Sequence, residues 1–371
     1  MNAISIERAQ TLTGAKRTAM VIAGGTGGHI FPGLAVAGLL REQGWQVHWV
    51  GGTPPSMESQ LVPAQGFQFE PIEFSGVRGK GLMAVIELPI RLIKAMIQSY
   101  ALMRKIRPDV IVGLGGYITV PPCLMGWLLG RPVLLHEQNS VAGSANKLLS
   151  KIAKKVFCAF PGVLHGQWIG NPLRKEFKNQ PPPQERFANR SGPLRLLVVG
   201  GSLGAQALNT VVPKALSLLP YEKRPSVIHQ GGAKQMHDLQ TAYQNVDLKA
   251  EDGVTLVPFI DEMAEAFMEA DLVICRAGAS TVSELAALGV AAIYVPFPHA
   301  IDDHQTVNAK FMVSSGAGWL IEQKDLTESR LSNLLMNMSR EELLVKAECA
   351  FAQKKIEAAE SVVKACEEIV I

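Results

Sequence analysis

Two hydroxyls and a carboxylate, Ser280, Thr281 and Glu284, follow a short apolar run that ends in small residues. Where a helix starts, several backbone N–H groups stay unpaired, and the helix dipole adds partial positive charge beside them. Such a helix start suits a phosphate. Glu284, about one turn further in, could accept the two hydroxyls of a ribose. These residues predict a nucleotide site, with an ordinary turn and a surface glutamate as the alternative.

The elements that must hold these groups are a strand, a turn and a helix within Asp271–Gly289. Asp271–Cys275 is apolar and rich in β-branched residues, which predicts a buried parallel strand. Residues 276–278 interrupt the strand with two small side chains. The helix is expected to begin near Ser280, with the hydroxyls at its start, and to stop at Gly289, a residue suited to a left-handed end.

The same order of strand, glycine turn and helix opens each half of the chain. Met20–Ala23 leads into GGTGGH at Gly24–His29, and Leu194–Val199 leads into GGSLGA at Gly200–Ala205. This repetition predicts an α/β fold with two Rossmann-like domains facing across a cleft. The first turn does not spell GxGxxG, and no acidic residue ends the next strand, Val47–Val50. Both features argue against NAD.

The charge distribution limits the partners. The chain carries a net charge of +3, but residues 1–175 hold 18 Lys and Arg against 8 Asp and Glu, and residues 176–371 hold 18 against 25. A net charge of +10 in the first part indicates an anionic partner there: membrane lipid, nucleic acid or a phosphorylated substrate. Aromatic residues make up only 6% and no RNA-binding signature occurs, so we expect no nucleic acid partner.

Residues 82–103 are apolar over more helical surface than one packing contact uses. Their polar residues form one narrow stripe at helical spacing: Glu87, Arg91, Lys94 and Gln98. Arg78 and Lys80 lie just before the segment. These features predict a patch that rests on anionic lipid without crossing it, with a helix wedged between two packed elements as the alternative. No apolar run reaches the roughly 18 residues that a membrane span needs.

The five cysteines show no CxxC spacing and the eight histidines no HExxH, so we expect reduced core thiols and no metal site. Residues 1–16 are polar and without periodicity, which indicates a flexible tail. Gly170–Pro193 contains three consecutive prolines and loses the apolar rhythm. It predicts a linker between two domains.

Four separated motifs occur in a consistent order along the chain: Gly24–His29, HEQN at His136–Asn139, Gly200–Ala205, and RAGASTVSE at Arg276–Glu284 with His304, Gln305 and Asn308 downstream. The set resembles the MurG family of UDP-N-acetylglucosamine:N-acetylmuramyl-(pentapeptide) pyrophosphoryl-undecaprenol N-acetylglucosamine transferases. The resemblance implies the GT-B fold. It implies an acceptor and membrane-binding domain at 17–173, a donor domain at 174–356, and a final helix, 357–371, packed back on the first domain.

The resemblance also implies an inverting transfer of GlcNAc from UDP-GlcNAc to the C4 hydroxyl of MurNAc in lipid I, giving lipid II for peptidoglycan. The enzyme would act at the cytoplasmic face of the inner membrane as a peripheral protein, with cell-wall synthesis proteins as possible partners. Among the donor contacts that the resemblance implies, Ile260 would meet uracil and Glu284 the ribose. The phosphates would be met by Ala279, Ser280, Thr281, Val282, Ser283, Ser202 and Arg174, and the sugar by Asn139 and Gln305. Thr26, Gly27 and Gly28 would contact the donor or the acceptor diphosphate. The acceptor or membrane contacts are Arg78, Lys80, Arg91, Lys94, Tyr117 and His136.

For the base that removes the acceptor proton, His29 is our candidate because it follows a glycine turn and imidazole titrates near neutral pH. It could instead cap a helix or position a phosphate. Glu137 is the runner-up and could equally be a buried support. No pair of Asp residues marks a metal on the donor loop, so we expect no cofactor, with the helix start and Arg174 stabilising the departing UDP. Alternative functions are another GT-B enzyme, such as a glycolipid transferase or UDP-GlcNAc 2-epimerase, and a non-catalytic sugar-nucleotide sensor.

Overall fold

The computed structural model describes residues 16–76, 83, 86–201 and 203–370. Arg78, Lys80 and Ser202, and nearly all of the predicted tail, lie outside the described residues. Contacts divide the described chain into two compact units. The first contains the residues up to Gln138, Ala142–Pro172 and the segment from Glu357 onward. The second contains Asn139–Val141 and Leu173–Ile356.

The first unit is built on a parallel sheet. Its strands are β1 (Thr18–Ile22), β2 (Gln46–Gly52), β3 (Gln68–Ile72), β4 (Val110–Gly113), β5 (Val133–Glu137), β6 (Lys155–Cys158) and β7 (Gln167–Trp168). Among the described residues their order across the sheet is β3-β2-β1-β4-β5-β6-β7. Val21 of the central strand pairs with Trp49 on one side and Val112 on the other.

Helices cover both faces of this sheet. They are α1 (Gly27–Glu42), α2 (Met57–Ala64), α3 (Leu88–Ile106), α4 (Val120–Leu128) and α5 (Ser144–Leu149). β1 is buried throughout, because its alternate side chains enter two separate cores. Val21 packs in a cluster with Val36 of α1, whereas Met20 packs in a cluster with Ala95 of α3.

The second unit repeats this plan with a shorter sheet. Its elements are α6 (Pro183–Phe187), β8 (Arg195–Val199), α7 (Gln206–Ser217), β9 (Ser226–Gln230), α8 (Met236–Gln244), β10 (Val254–Val257), α9 (Met263–Glu269), β11 (Leu272–Cys275), α10 (Ala279–Leu288), β12 (Ala292–Tyr294), α11 (His304–Ser314), β13 (Gly318–Leu320), α12 (Glu328–Met336) and α13 (Arg340–Ala352). In the described part of the chain the strand order is β10-β9-β8-β11-β12-β13, all parallel.

The last helix, α14 (Ala358–Val370), belongs to the first unit although it follows the second in sequence. It packs on α1. Ala358, Val362 and Cys366 share a core cluster with Leu40 of that helix. Their spacing of four places them on one helical face, so burial in the first core accounts for the position of α14.

Two expected segments can be compared with the structure. The helix expected over 82–103 is found as Leu88–Ile106, with Pro89 in its first turn and Arg107 in a left-handed conformation at its end. Before it, Met83 and Ile86 are helical, and residues 82, 84 and 85 lie outside the described residues. Proline favours the first turn of a helix because its missing N–H would have no partner there. The predicted linker, Gly170–Pro193, is largely packed into the second unit, because Phe177 and Phe187 are 1% and 8% exposed.

Candidate active site

One cavity of about 820 Å³ in the second unit lies where two strand–turn–helix connections meet. Residues of the β8–α7 turn and of the β11–α10 turn both line it. Its wall includes Gly200, Gly201, Leu203, Gly204, Arg276, Gly278, Thr281, Phe297, Gln305 and Gln323. Ligands of open α/β sheets bind at this edge, beyond the carboxyl ends of the strands. The two glycine-containing motifs of this unit therefore form one site.

The start of α10 differs in detail from the sequence prediction. Gly278 is the N-cap, with extended backbone angles, and the helix begins at Ala279. Thr281 lines the cavity from the first turn and does not cap the helix. Val282 is 1% exposed, and its N–H donates to the Gly278 carbonyl at 3.0 Å. Its side chain and N–H are therefore engaged within the fold, and the phosphate contact predicted for Val282 stays a prediction. The predicted end is confirmed, because Gly289 has a φ of 64°.

Arg276 is a cation in this cavity to which the sequence analysis gave no role. Its Nη1 donates to the carbonyls of Val295 and Pro296, both at 3.1 Å. Its Nη2 donates to Gln323 Oε1 at 2.6 Å. Burial lowers the pKa of the Arg276 guanidinium, and an arginine side chain is effectively always charged at neutral pH. Its position directly after β11 was the available signal, since the carboxyl ends of parallel strands meet at the ligand edge.

Arg174 and Glu284 form a second polar group in this unit and do not line the cavity. Arg174 Nη1 lies 2.8 Å from Glu176 Oε1, and Arg174 Nη2 lies 3.9 Å from Glu284 Oε1. The predicted phosphate contact thus lies beside the predicted ribose contact. Burial raises the pKa of Glu284 to about 7, Arg174 opposes this rise and Glu176 adds to it. Ile260, partly exposed, lies three residues before α9.

Gln305 lies in the first turn of α11, where its Oε1 accepts the N–H of Phe297 at 2.9 Å. Asn308 on the same helix is fully buried and donates to the Ala277 carbonyl at 3.1 Å, directly before the α10 turn. Asn139 groups with the second unit and is half-buried. Its neighbour Ser140 donates from its N–H to Asn308 Oδ1 at 3.0 Å. Asn308 thus holds the backbone on which donor contacts were predicted.

A series of hydrogen bonds among the buried His229 and Asn209 and the half-buried Gln235 supports the β8–α7 turn. His229 Nε2 donates to Asn209 Oδ1 at 3.1 Å. Asn209 Nδ2 donates to Gln235 Oε1 at 3.1 Å, and Gln235 Nε2 donates to the Leu203 carbonyl at 2.9 Å. Burial lowers the pKa of His229 to about 3, so the ring is neutral. The sequence analysis missed these three side chains because they lie on β9, α7 and a turn far apart in the chain.

In the first unit, the start of α1 presents the other predicted glycine turn. Thr26 is the N-cap and is exposed, and Gly27, Gly28 and His29 form the first helical turn. Glu58, 3% exposed, fixes this turn from α2. Its carboxylate accepts the N–H of Gly25 at 3.2 Å and that of Gly52 at 3.0 Å. The sequence did not indicate Glu58, which lies outside every glycine motif.

His29 lies at one end of a hydrogen-bonded series that includes the HEQN motif. His29 Nδ1 is 2.9 Å from Gln138 Oε1. Gln138 Nε2 is 3.1 Å from His136 Nδ1, and His136 Nε2 is 2.8 Å from the Gly170 carbonyl. Burial lowers the pKa of His136 to about 4. His136 was predicted to contact the acceptor or the membrane. In the structure it is fully buried, and it supports Gln138 instead.

Glu137 and Tyr117 were also predicted site residues. Glu137 is 2% exposed, and its Oε2 accepts Gly143 N–H at 3.1 Å and Asn146 Nδ2–H at 2.9 Å. These bonds fix the start of α5, which favours the supporting role for Glu137 over that of a base. Tyr117 is half-buried in a 3₁₀ turn, Tyr117–Thr119, that follows β4.

The α3 helix has two apolar faces. Ala95, Ser99 and Met103 are buried against the sheet. The other face exposes large apolar side chains, at 61–72% of their surface for Ile90, Ile93 and Ile97. This finding favours the surface patch over the helix wedged between elements. Within the polar stripe, Lys94 forms an ion pair with Glu73, and Arg91 donates a hydrogen bond to Ser75 and keeps its charge. No helix within the described residues is long and apolar enough to cross a membrane.

Comparison with known proteins follows the two units. The description "glycosyltransferase family 28 N-terminal domain" fits residues 19–158, and "glycosyltransferase family 28 C-terminal domain" fits residues 195–364. A UDP-N-acetylglucosamine–N-acetylmuramyl-(pentapeptide) pyrophosphoryl-undecaprenol N-acetylglucosamine transferase of Paracidovorax citrulli (strain AAC00-1) is 59% identical over 354 residues, covering 95% of this chain and 98% of that relative. The transferase of the same name from Polaromonas naphthalenivorans (strain CJ2) is 58% identical, covering 95% of this chain and 99% of that relative.

A solved structure agrees with these relatives. The crystal structure of Acinetobacter baumannii MurG has a TM-score of 0.82 and 39% identity, covering 95% of this chain and 99% of that chain. Two Rossmann-like parallel sheets, the two family 28 domain matches and the likeness to this solved structure together identify a glycosyltransferase with the GT-B fold. The chain belongs to glycosyltransferase family 28 and, within it, to the MurG family.

Proposed function

We propose that the chain transfers GlcNAc from UDP-GlcNAc to the C4 hydroxyl of MurNAc in lipid I, which makes the lipid II used in peptidoglycan synthesis. The observation that carries this function is the 59% identity, over 95% of this chain and 98% of the relative, to a transferase whose name states this donor and this acceptor. The cavity of the second unit is the candidate site for the sugar nucleotide.

The reaction breaks the bond between the sugar's anomeric carbon and the UDP oxygen, and the electron pair leaves with UDP. The acceptor O4 forms the new bond on the opposite face of the sugar, so the linkage becomes β-1,4. The O4 proton passes to a base. The protein must therefore stabilise additional negative charge on UDP and hold an unprotonated group beside O4.

Stabilisation of departing UDP falls to the start of α10 and to Arg276. A helix start contributes up to about 2 kcal/mol in a partly buried site, which is too little alone. Arg276 adds a full positive charge on the same cavity wall, and in this role it replaces Arg174, which lies beside Glu176 and Glu284. We propose that these groups suffice without a divalent ion, because the donor loop, residues 277–281, carries no pair of Asp residues to hold one.

The base is His29 in this proposal. It lies half-exposed in the first turn of α1, and its Nδ1 is bonded to Gln138. The second ring nitrogen, Nε2, is then the atom that can take the acceptor proton.

The exposed face of α3 supports a peripheral association with the membrane that carries lipid I. Ile90, Ile93 and Ile97 project large apolar surface from one side of this helix, and apolar faces of this kind enter the headgroup region of a bilayer without crossing it. We place the enzyme at the cytoplasmic face of the inner membrane. The net charge of +10 in residues 1–175 favours anionic lipid, and other cell-wall synthesis proteins are candidate partners.

One assay tests the function: labelled UDP-GlcNAc with a short-chain lipid I analogue, with and without a metal chelator. We expect labelled lipid II at equal rates in both samples. Conversion of UDP-GlcNAc to UDP-ManNAc without acceptor would identify an epimerase. Donor binding without transfer to any lipid-linked acceptor would identify a sensor. Loss of turnover with chelator, restored by added divalent ion, would overturn only the metal-free step.

A further inference from the structure

We infer that Gln138 is a positioning residue, which holds His29 in the tautomer with its proton on Nδ1 and so leaves Nε2 unprotonated for the acceptor hydroxyl. The inference deepens the proposed function, because it rests on His29 as the base. It concerns side chains of the first unit alone, from α1, β5 and the loop that precedes Pro172.

The direction of each hydrogen bond follows from the Gly170 carbonyl. A carbonyl oxygen can only accept, so His136 Nε2, 2.8 Å away, must carry a proton. Full burial keeps the His136 ring neutral, with its pKa lowered to about 4. Its Nδ1 is therefore unprotonated and must accept from Gln138 Nε2 at 3.1 Å. With its nitrogen directed toward His136, Gln138 presents Oε1 to His29 Nδ1 at 2.9 Å.

The opposite orientation of the Gln138 amide is excluded by the same groups. Turned over, the amide would place Oε1 against the lone pair of His136 Nδ1. It would also lose the bond from Gln138 Nε2 to the His136 backbone carbonyl, now 3.3 Å long. Two acceptors therefore require the amide nitrogen on this side. An amide oxygen cannot donate, so the proton shared with His29 belongs to His29.

Gly115 keeps this contact closed from the other side. A Cβ at Gly115 would lie 2.7 Å from His29 Nδ1 and 3.3 Å from Gln138 Oε1, and the residue has a φ of +95°. Only glycine fits this close approach in that conformation. The contact between the imidazole and the amide is thus enclosed by the β4 turn as well as by β5.

Gln138 is uncharged, and this has a chemical consequence. The charged and titratable groups around the turn are His136 and Glu137 on β5, Glu58 on α2 and Tyr117 after β4, and Glu137 and Glu58 are occupied by other bonds. A carboxylate at position 138 would stabilise a protonated imidazole. An amide fixes the tautomer without favouring the protonated ring.

The test reads the tautomer directly. Full-length protein with ¹⁵N-labelled histidine is examined by long-range ¹H–¹⁵N correlation, with His29→Ala used to identify the His29 signals. We expect a protonated Nδ1 and a bare Nε2 at His29. Gln138→Leu should convert His29 to a mixture with protonated Nε2, whereas Gln138→Glu should retain the proton on Nδ1. Gln43→Leu, at the exposed C-terminal end of α1, is the control and should leave His29 unchanged.

Kinetics provide the second measurement. Gln138→Leu should lower kcat roughly 10- to 100-fold, because a fraction of His29 presents the wrong nitrogen, while KM for UDP-GlcNAc changes little. In Gln138→Glu the low-pH limb of kcat/KM should move to higher pH, a shift that a purely structural role would not produce. Circular dichroism of each variant establishes that it is folded.

Two results would overturn the inference: a protonated Nε2 at His29 in the unmodified protein, or an unchanged tautomer in folded Gln138→Leu. A different result would show that His29 is not the catalytic base. In that case His29→Ala would turn over normally while the ¹⁵N spectrum still reported a proton on Nδ1 that depends on Gln138.

Discussion

Glu284, the predicted ribose contact, changes its protonation state near neutral pH. Only 13% of its side chain is exposed, and burial raises the pKa of its carboxyl to about 7. A carboxylate can accept both hydroxyls of a ribose, whereas the neutral acid keeps one oxygen occupied by its own proton. Donor binding should therefore depend on this ionisation.

We predict that the affinity for UDP-GlcNAc rises roughly tenfold between pH 6 and pH 8, as the ionised fraction of Glu284 increases through its pKa. UDP-GlcNAc has no phosphate that titrates in this range. Calorimetry at both pH values measures the effect. Glu284→Gln should bind weakly at both pH values and lose the dependence, and Glu284→Ala should also bind more weakly. An equal pH slope in Glu284→Gln would remove the ribose assignment.

We also predict that His29→Ala lowers kcat by roughly 10²- to 10⁴-fold, the usual contribution of a general base, while calorimetry shows that UDP-GlcNAc still binds. His237→Ala, an exposed histidine on α8, is the matched control and should turn over normally. Unchanged turnover in His29→Ala would remove it from the role of base.

The sequence indicated this site in part. Thr281 could be predicted because a strand, a small-residue turn and a hydroxyl identify a helix start locally. The burial of Val282 was not evident from the sequence, since only the packed helix shows which side of the first turn faces the core. Arg276 and Gln138 stood inside recognised motifs, yet their contacts with Gln323 and with His29 join residues 47 and 109 positions apart. No local pattern contains such contacts.

The α3 helix has an exposed apolar surface that packing within the fold does not explain. Ser99 and Met103 face the sheet, while Ile93 and Ile97 remain 61% and 64% exposed on the opposite side. The Lys94–Glu73 pair nearby is itself exposed, and such pairs contribute little to stability. Apolar contact, with general attraction from the basic first unit, should therefore dominate any binding to lipid.

We predict that Ile93→Glu combined with Ile97→Glu reduces binding to vesicles of anionic lipid by tenfold or more in co-sedimentation. Turnover of a water-soluble acceptor analogue should be unchanged, because this face lies outside the described sites. Val345→Glu on α13 is the control, since Val345 is similarly exposed at 58% in the second unit. Equal vesicle binding by all three proteins would contradict the membrane role of α3.

Among the secondary-structure elements, the central strands β1 and β8 could be predicted from the sequence. β1 and β8 are continuous apolar runs directly before glycine turns, so both composition and punctuation identify them. The sequence did not predict β3, β6, β7 or β13. β3 is an edge strand that includes Pro71, β7 has two residues and β13 has three. Such strands are formed by pairing with a neighbour, which a short local pattern does not show.

On the scale of the whole molecule, α14 completes the core of the first unit. Val362, Val363 and Cys366 are fully buried there, while Lys364 on the other side of the helix is exposed. The first unit therefore depends on residues that lie beyond the second unit in the chain.

We predict that Val362→Asp destabilises the first unit by roughly 3–5 kcal/mol, the usual consequence of an unpaired buried charge. Limited proteolysis with mass spectrometry should then degrade the first unit and leave a resistant fragment near residues 173–356. Lys364→Asp introduces the same side chain on the exposed side and should leave the digestion pattern unchanged. Equal resistance of both variants would show that α14 is dispensable for the first unit.

The position of α14 also orders events during translation. A ribosome that has made the first sheet must synthesise Leu173–Ile356 before it reaches Ala358–Val370. The second unit can therefore finish folding first, while the first unit, which still lacks α14, exposes the apolar side of α1. We expect the nascent chain to be prone to aggregation during that interval, and slower elongation to lengthen the exposure.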